Sequence, residues 1–387
     1  MKNEKINRIL SYVVVALLSV TLTVAVFLGI WLQQKKGESK LTALENLIDH
    51  YFIGEYDKTA MEDAAAQAMI GALGDRWSYY IPAADYAEHV EQMKNAYVGI
   101  GITITNQGNE YGIVIQQVTK GGPAEEAGVQ PNDVIIKVDG NSVVGMSLDE
   151  SKKLIQGEAG TKVSMTVLRG TEELVLEVTR AEIKTPVAEA EMLNNQIGLV
   201  TIHNFNSNCA SETIAAIEKL REQGAQKLIF DVRNNPGGYA EELVKVLDYL
   251  LPEGKLFTRV DYAGKEHTDM SDEKCLDIPM AVLVNGNSYS AAEFFGAAMA
   301  EYEAAVVVGE KTTGKGYFQS TFRLPDGSAV GLSIGKYYTP KGVSLADVGI
   351  TPDVNVAVDE ETAQSILAGK LEPMDDPQVL AAIDALS

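Results

Sequence analysis

At 387 residues the chain is too long for one small domain and fits about two or three. Its composition, 46% hydrophobic and 22% charged, is that of a folded protein without tracts biased toward disorder. A formal net charge of −22 excludes the electrostatics on which nucleic-acid binding rests, and it disfavours docking of the folded part on an anionic lipid surface.

The N-terminus carries an uncharged stretch of 22 residues, "SYVVVALLSVTLTVAVFLGIWL", from Ser11 to Leu32. That length predicts one bilayer-spanning helix. Lys2, Lys5 and Arg8 precede it and Lys35 and Lys36 follow it. Positive charge on the first flank orients the N-terminus to the cytoplasm and leaves the rest of the chain outside. The stretch is longer than a signal-peptide core and lacks a clear small-x-small cleavage site, so residues 1–37 are read as a cytoplasmic tail and a retained single-pass membrane anchor.

Residues 38–96 follow as a helical segment, from the helical spacing of apolar residues in "LTALENLIDHYFIGEYDKTAMEDAAAQAMIGAL". These helices either bring two copies together as a homodimer or pack on their own domain. Residues 97–182 change texture. "YVGIGITI" and "YGIVIQQV" are short β-rich runs, "SLDESKKLIQG" is a capped amphipathic helix, and "KVSMTVLRGTEELVLEVTR" is a hairpin closed at Arg169–Thr171.

Residues 183–370 alternate strands and helices. "QIGLVTI", "KLIFDV", "MAVLVN" and "AAVVVGE" are apolar on both faces, as parallel strands covered by helices are. A β-rich portion ("GYFQSTFRL", "SAVGLSIGKYYTP") comes next, and residues 371–387 form a terminal helix. The fold class is thus multidomain α+β, with a transmembrane helix, a helical segment, a compact β-rich unit and a mixed α/β core. Cys209 and Cys275 lie 66 positions apart, form no metal signature and receive no role.

Parallel strands with right-handed crossovers put every strand-to-helix loop on one sheet edge, where ligand and catalytic sites collect. Three loops follow strands here: "RNNPGGY", "GNSYS" and "KTTGKGYFQ". Ser290 and Lys315 are separated by one helix and one strand and can meet there. A free lysine, with a pKa of about 10.4, is no base at neutral pH; burial can lower that value by about three, or ~4 kcal/mol of differential solvation. Lys315, between Gly314 and Gly316 and followed by Tyr317 and Phe318, has no neighbouring carboxylate in sequence. The N–H of Ala291 and a glycine N–H of the Pro236-Gly237-Gly238 turn are candidate oxyanion donors.

Each residue also has a plainer reading. Ser290-Ala291-Ala292-Glu293 is a helix capping box, Ser288 a rival nucleophile or a turn residue, Lys315 a solvated loop lysine, Gln319 a strand residue. "GEKTTGKG", from Gly309 to Gly316, satisfies the phosphate-loop spacing of an NTPase. It lacks the Ser/Thr after the lysine and leads into a strand-like run, so the match is accidental. His50, His89, His203 and His267 are scattered, and no complete G-x-S-x-G elbow supports a histidine-based triad.

Taken together, these residues resemble the carboxyl-terminal processing (tail-specific) serine proteases, which use a serine–lysine dyad. "LIFDVRNNPGGY" is similar to the D-x-R-x-N-P-G-G block, "VNGNSYSAAE" to the nucleophile block, and "GEKTTGKGYFQS" to the block with lysine and glutamine four apart. "LGDRWSYYIP", "DGSAVGLSIGKYYTPKG" and "GITPDV" extend the likeness, and residues 97–182 resemble a PDZ domain with "YVGIGI" as its carboxylate loop. The resemblance implies a serine endopeptidase with Ser290 as nucleophile, Lys315 as base, Gln319 orienting the lysine, and Ala291 with Gly237 or Gly238 as oxyanion donors. It implies further that protein or peptide substrates with apolar C-termini add as a strand along Val98, Gly99, Ile100, Gly101 and Ile102, with helix 147–156 as the facing wall. The domain can also gate the dyad. No metal or other cofactor is implied. Tyr289 stands where the family usually has a small residue, and Ala292 replaces a common serine. The two alternatives are a PDZ scaffold with a dead protease domain and the NTPase.

Overall fold

The computed structural model describes residues 12–28, 39–106 and 111–387, and the chain divides into two compact units, Met1–Ala65 and Ala66–Ser387. In the first unit, residues 12–28 are helical. No helix among the described residues is long and apolar enough to cross a membrane, so the expected N-terminal transmembrane helix is corrected. At about 1.5 Å per residue the described turns reach about 26 Å, short of the ~30 Å hydrocarbon core. The stretch's two ends and both basic flanks lie outside the described residues, and the single-pass placement rested on this helix. Further along, helix Lys40–Tyr51 is capped by Ser39, whose hydroxyl accepts from Thr42 N.

The second unit is built on a six-stranded sheet. Its order is Ala188–Met192, Ile197–Ile202, Lys227–Asp231, Met280–Val284, Ala305–Gly309 and Val354–Asn355. The first pair is antiparallel and every later pair parallel. Alternate side chains serve two cores. Val200, Ile202, Phe230, Val282 and Val284 pack under helices Cys209–Glu222, Ala240–Leu250 and Ala291–Glu301. Leu199, Ile229, Ala281 and Leu283 pack against helix Pro377–Ala385 through Val379, Ala382 and Leu386. With both faces covered, these strands need continuous apolar runs, which is how they read. Because they run in parallel, loops 232–239, 285–290 and 310–316 open on the same edge, as expected.

A second sheet joins Tyr79–Ile81, Ala329–Tyr338, Gly254–Asp261 and Glu266–Ser271, with Tyr317–Arg323 also pairing to Ala329–Tyr338. The segment expected to be helical therefore also lends a strand to the core domain.

The β-rich insert has its own core around Ile113, Ile115, Ile135, Val163, Met165 and Val178. Its sheet runs Ile102–Thr105, Ile113–Val118, Val134–Val138, Lys162–Arg169, Glu172–Thr179, so Ile102–Thr105 is an edge strand. Ala96–Gly99 belongs to a separate two-stranded ribbon with Ala181–Lys184, where the chain enters and leaves the insert. Helix Leu148–Ile155 forms behind a capping box at Ser147 and Glu150, and the Arg180 guanidinium donates to the carbonyls of Leu154 and Ile155 at its far end.

Candidate active site

Asparagines tie two of the three loops on the sheet edge to one another, and the third joins them through Thr313, whose N–H donates to the Ser288 carbonyl at 3.2 Å. Asn234 N donates to Asn285 Oδ1 at 3.0 Å, and Tyr289 N donates to the Asn235 carbonyl at 3.1 Å. Asn235 is fully buried and donates to the Ile202 carbonyl at 2.7 Å. Ser288, also fully buried, donates to the Val232 carbonyl at 2.7 Å and accepts from Asn285 N at 3.0 Å. Its hydroxyl is committed, which removes it as a rival nucleophile.

Ser290 stands at the N-cap of helix Ala291–Glu301 with φ 59° and ψ −124°. An ordinary N-cap is extended, and a non-glycine residue at positive φ is strained by about 1–3 kcal/mol. Within the S-x-x-E pattern, Ser290 N donates to Glu293 Oε2 at 3.0 Å. Ser290 lines a cleft of about 670 Å³. Lys315, Gln319, Gly237 and Gly238 line the same cleft, and Trp77 lines a neighbouring one.

Glu293 is the residue whose role sequence reasoning missed. It is fully buried, and its carboxylate accepts from Ser290 N (3.0 Å), Thr312 Oγ1 (2.5 Å), Gly314 N (2.7 Å) and Lys315 N (2.7 Å). One carboxylate thereby fixes the backbone of both the serine and the lysine. The signal was present: the helix around it is apolar on all sides, so a carboxylate inside it must be partnered. The same bonds dispose of the phosphate loop. The amides of Gly314 and Lys315 that would cradle a phosphate already hold Glu293, and strand Tyr317–Arg323 follows instead of a helix.

Burial lowers the Lys315 pKa to about 8, against the opposing pull of the Asp75 and Glu293 carboxylates. Its ammonium lies 4.9 Å from the Trp77 ring centre and 5.7 Å from that of Tyr289. Among the described residues it makes no hydrogen bond to Ser290 Oγ. Gln319 does not reach it either: the amide donates to Ser333 Oγ at 3.0 Å.

The turn glycines are distinguishable. Gly237, at φ 92°, donates its N–H to Asn235 Oδ1 at 2.8 Å, and a Cβ there would lie 2.8 Å from Ser290 Cβ. Gly238 pairs with Phe205 in an isolated bridge, and its N–H, like that of Ala291, has no hydrogen-bond partner among the described residues. Both residues line a small apolar recess with Leu243, Phe257, Phe294 and Tyr337, next to Ser290.

Of the four histidines, His89 lines the cleft, beside Tyr79 and Tyr86. His203 pairs with Glu189 at 3.3 Å, half exposed and away from the cleft. Burial pushes the Cys209 thiol up to about 12, and Cys275 is exposed and unpaired. In the insert, Val98 and Gly99 lie in the two-stranded ribbon, Ile100 is buried, Gly101 has φ 78°, and Ile102 begins the edge strand.

A parallel α/β core that presents a serine on a strained strand-to-helix turn, with a desolvated lysine in the same cleft, is the build of a serine-type peptidase, here carrying an inserted PDZ domain. Comparison with known proteins agrees. Peptidase family S41 matches residues 196–356, and a PDZ domain matches residues 114–169. The "Probable CtpA-like serine protease" of Staphylococcus haemolyticus (strain JCSC1435) is 32% identical over 344 residues, 88% of this chain and 68% of the relative. Its namesake in Staphylococcus epidermidis (strain ATCC 12228 / FDA PCI 1200) is 31% identical, over 88% of this chain and 69% of the relative. The solved photosystem II D1 C-terminal processing protease superposes with a TM-score of 0.50 at 28% identity, over 88% of this chain and 92% of that one. The chain belongs to peptidase family S41, and it is a serine peptidase of the carboxyl-terminal processing kind.

Proposed function

We propose that the chain is an endopeptidase in which Ser290 and Lys315 form the catalytic dyad and the PDZ domain receives the substrate's C-terminus. The observation that carries this reading is the double anchorage by Glu293, which fixes Ser290 N and Lys315 N on one carboxylate group beside the cleft. In the reaction Lys315 Nζ, as the free amine, takes the Ser290 Oγ proton while Oγ attacks the scissile carbonyl carbon. The tetrahedral oxyanion is met by the free N–H groups of Ala291 and Gly238. The lysine ammonium then returns its proton to the leaving amine, an acyl-serine remains, and water deprotonated by the same amine hydrolyses it. Reaching Ser290 Oγ requires the Lys315 side chain to leave its contact with Trp77. Gln319 is placed to orient it once there.

On the PDZ side, the edge strand Ile102–Thr105 can take an added strand, with Gly99–Gly101 presenting amides to the terminal carboxylate.

The test is cleavage of a loosely folded protein with an apolar C-terminal tail. Turnover is expected to vanish in both Ser290→Ala and Lys315→Ala while tail binding persists. Turnover surviving in either variant would exclude the dyad.

A further inference from the structure

We propose that Trp77 and Tyr289 form an aromatic resting station for the Lys315 ammonium, which must be given up before the lysine can take the seryl proton. The inference rests on the dyad reading and adds two positioning residues to it.

The geometry is specific. The Trp77 and Tyr289 rings lie 5.7 Å apart, centre to centre, and tilted by 36°. The Lys315 ammonium is within cation–π range of both, at 4.9 and 5.7 Å, and among the described residues no hydrogen-bonded anion holds it elsewhere. Each ring is fixed from below. Asp75 accepts from Trp77 N at 3.0 Å and from Ser78 Oγ at 2.6 Å, and Ser78 Oγ in turn accepts from Ser333 N at 3.1 Å, which pins the loop to the second sheet. Tyr289 directly precedes Ser290, and its amide is tied to the buried Asn235. The station is therefore attached to the nucleophile's own loop.

The chemistry gives the station a direction. A ring face attracts the ammonium and is indifferent to the amine, so the pair favours the protonated form that cannot act as a base. Burial pulls the other way. The charged groups near the ammonium are the Asp75 and Glu293 carboxylates, which also favour the proton, and the Arg76 guanidinium, 4.2 Å from the Trp77 ring centre, which does not. His89 and Lys94 also line the cleft. A substrate segment that displaces Tyr289 would release the lysine and lower its proton affinity in one movement, so the dyad is held idle until the cleft is filled.

The experiment is the rate at which a small fluorophosphonate labels Ser290 between pH 6 and 10. The proteins are the wild type, Trp77→Leu, Tyr289→Leu and Tyr289→Phe. Leucine keeps an apolar wall but removes the π face. Both leucine variants should move the acid limb down by about half to one pH unit and raise labelling at pH 7 about two- to fivefold. Tyr289→Phe, which keeps the ring, should retain the wild-type limb. If Trp77→Leu does not fold, the two Tyr289 variants decide. A limb that stays put or moves to higher pH in the leucine variants, while Lys315→Ala labels poorly, overturns the station and leaves the dyad intact. Labelling of Lys315→Ala at the wild-type rate overturns the dyad itself.

Discussion

Replacing Glu293 by glutamine tests how the two halves of the site are held together. The side chain keeps its shape but exchanges one acceptor oxygen for an NH2 group. In the native protein Oε1 accepts from Thr312 Oγ1 and Gly314 N, and Oε2 from Ser290 N and Lys315 N. Whichever way the amide turns, two of these four donors face another donor. At about 1.5–3 kcal/mol for each buried bond to a charged acceptor, the loss is about 3–6 kcal/mol. That is a large fraction of the ~5–15 kcal/mol that holds a domain folded, so the local structure gives way first and the serine and lysine separate. A displacement of about 1 Å between reacting groups costs about 10²-fold in rate. The assay pairs urea unfolding with steady-state cleavage of a tailed substrate. The midpoint is expected to fall, and kcat to fall by about two orders of magnitude with a smaller change in KM. A Glu293→Gln protein with an unmoved midpoint and kcat/KM within about twofold of wild type would show that this carboxylate does not hold the site, and the reasoning above would be refuted.

Three further predictions follow from other contacts. With its pKa lowered to about 8 by burial, Lys315 is protonated below that value and free above it, so kcat/KM should climb from pH 6 to 9 with a midpoint near 8; a flat profile over that range refutes the lysine base. Gly237→Ala places a methyl 2.8 Å from Ser290 Cβ and 2.9 Å from Ala291 N at φ 92°, so the protein should fold with a penalty of about 1–3 kcal/mol yet label at Ser290 at least ~10-fold more slowly, and wild-type labelling counts against the packed turn. Arg233, with 5% of its side chain exposed, pairs with Asp231 at 2.6 Å and Asp376 at 2.7 Å, so Arg233→Met strands two acids and should cost about 3–5 kcal/mol in urea unfolding; a loss below about 1 kcal/mol refutes the buried network.

The parallel core was readable because burial on both faces leaves continuous apolar runs, and four of its six strands stand out as "IGLVTI", "KLIFD", "MAVLV" and "AVVVG". The outer elements were not. Hairpin Gly254–Ser271 carries Arg259, Asp261, Lys265, Glu266, His267 and Asp269, a mixture set by its partly exposed position, so no apolar alternation marks it. Ala188–Met192 alternates alanine with glutamate at the antiparallel edge of the main sheet, again too polar to declare itself. The N-terminal apolar stretch misled for the opposite reason. Hydropathy alone predicted a spanning helix, whereas crossing demands a continuous helical length that no described helix has.

The site shows the same division between composition and conformation. Chemistry on the sheet edge was legible from topology, since parallel strands must deliver Gly237, Ser290 and Lys315 to one side. What the sequence could not carry is the dihedral pair that decides Ser290's role. A serine three residues before a glutamate caps a helix when its φ is extended, and its hydroxyl is then consumed. At φ 59° Ser290 still donates its N–H to Glu293, but from a backbone conformation that an ordinary N-cap does not adopt. That conformation is paid for by contacts distant in sequence. The Asn235 carbonyl holds Tyr289 N, and Gly237, without a Cβ, lets the turn lie against Ser290. Glu293 accepts Ser290 N with one oxygen, as in a capping box, and Gly314 N and Thr312 Oγ1 with the other, and so draws the lysine loop in. The conformation of this four-residue motif is thus set by the loops packed against it.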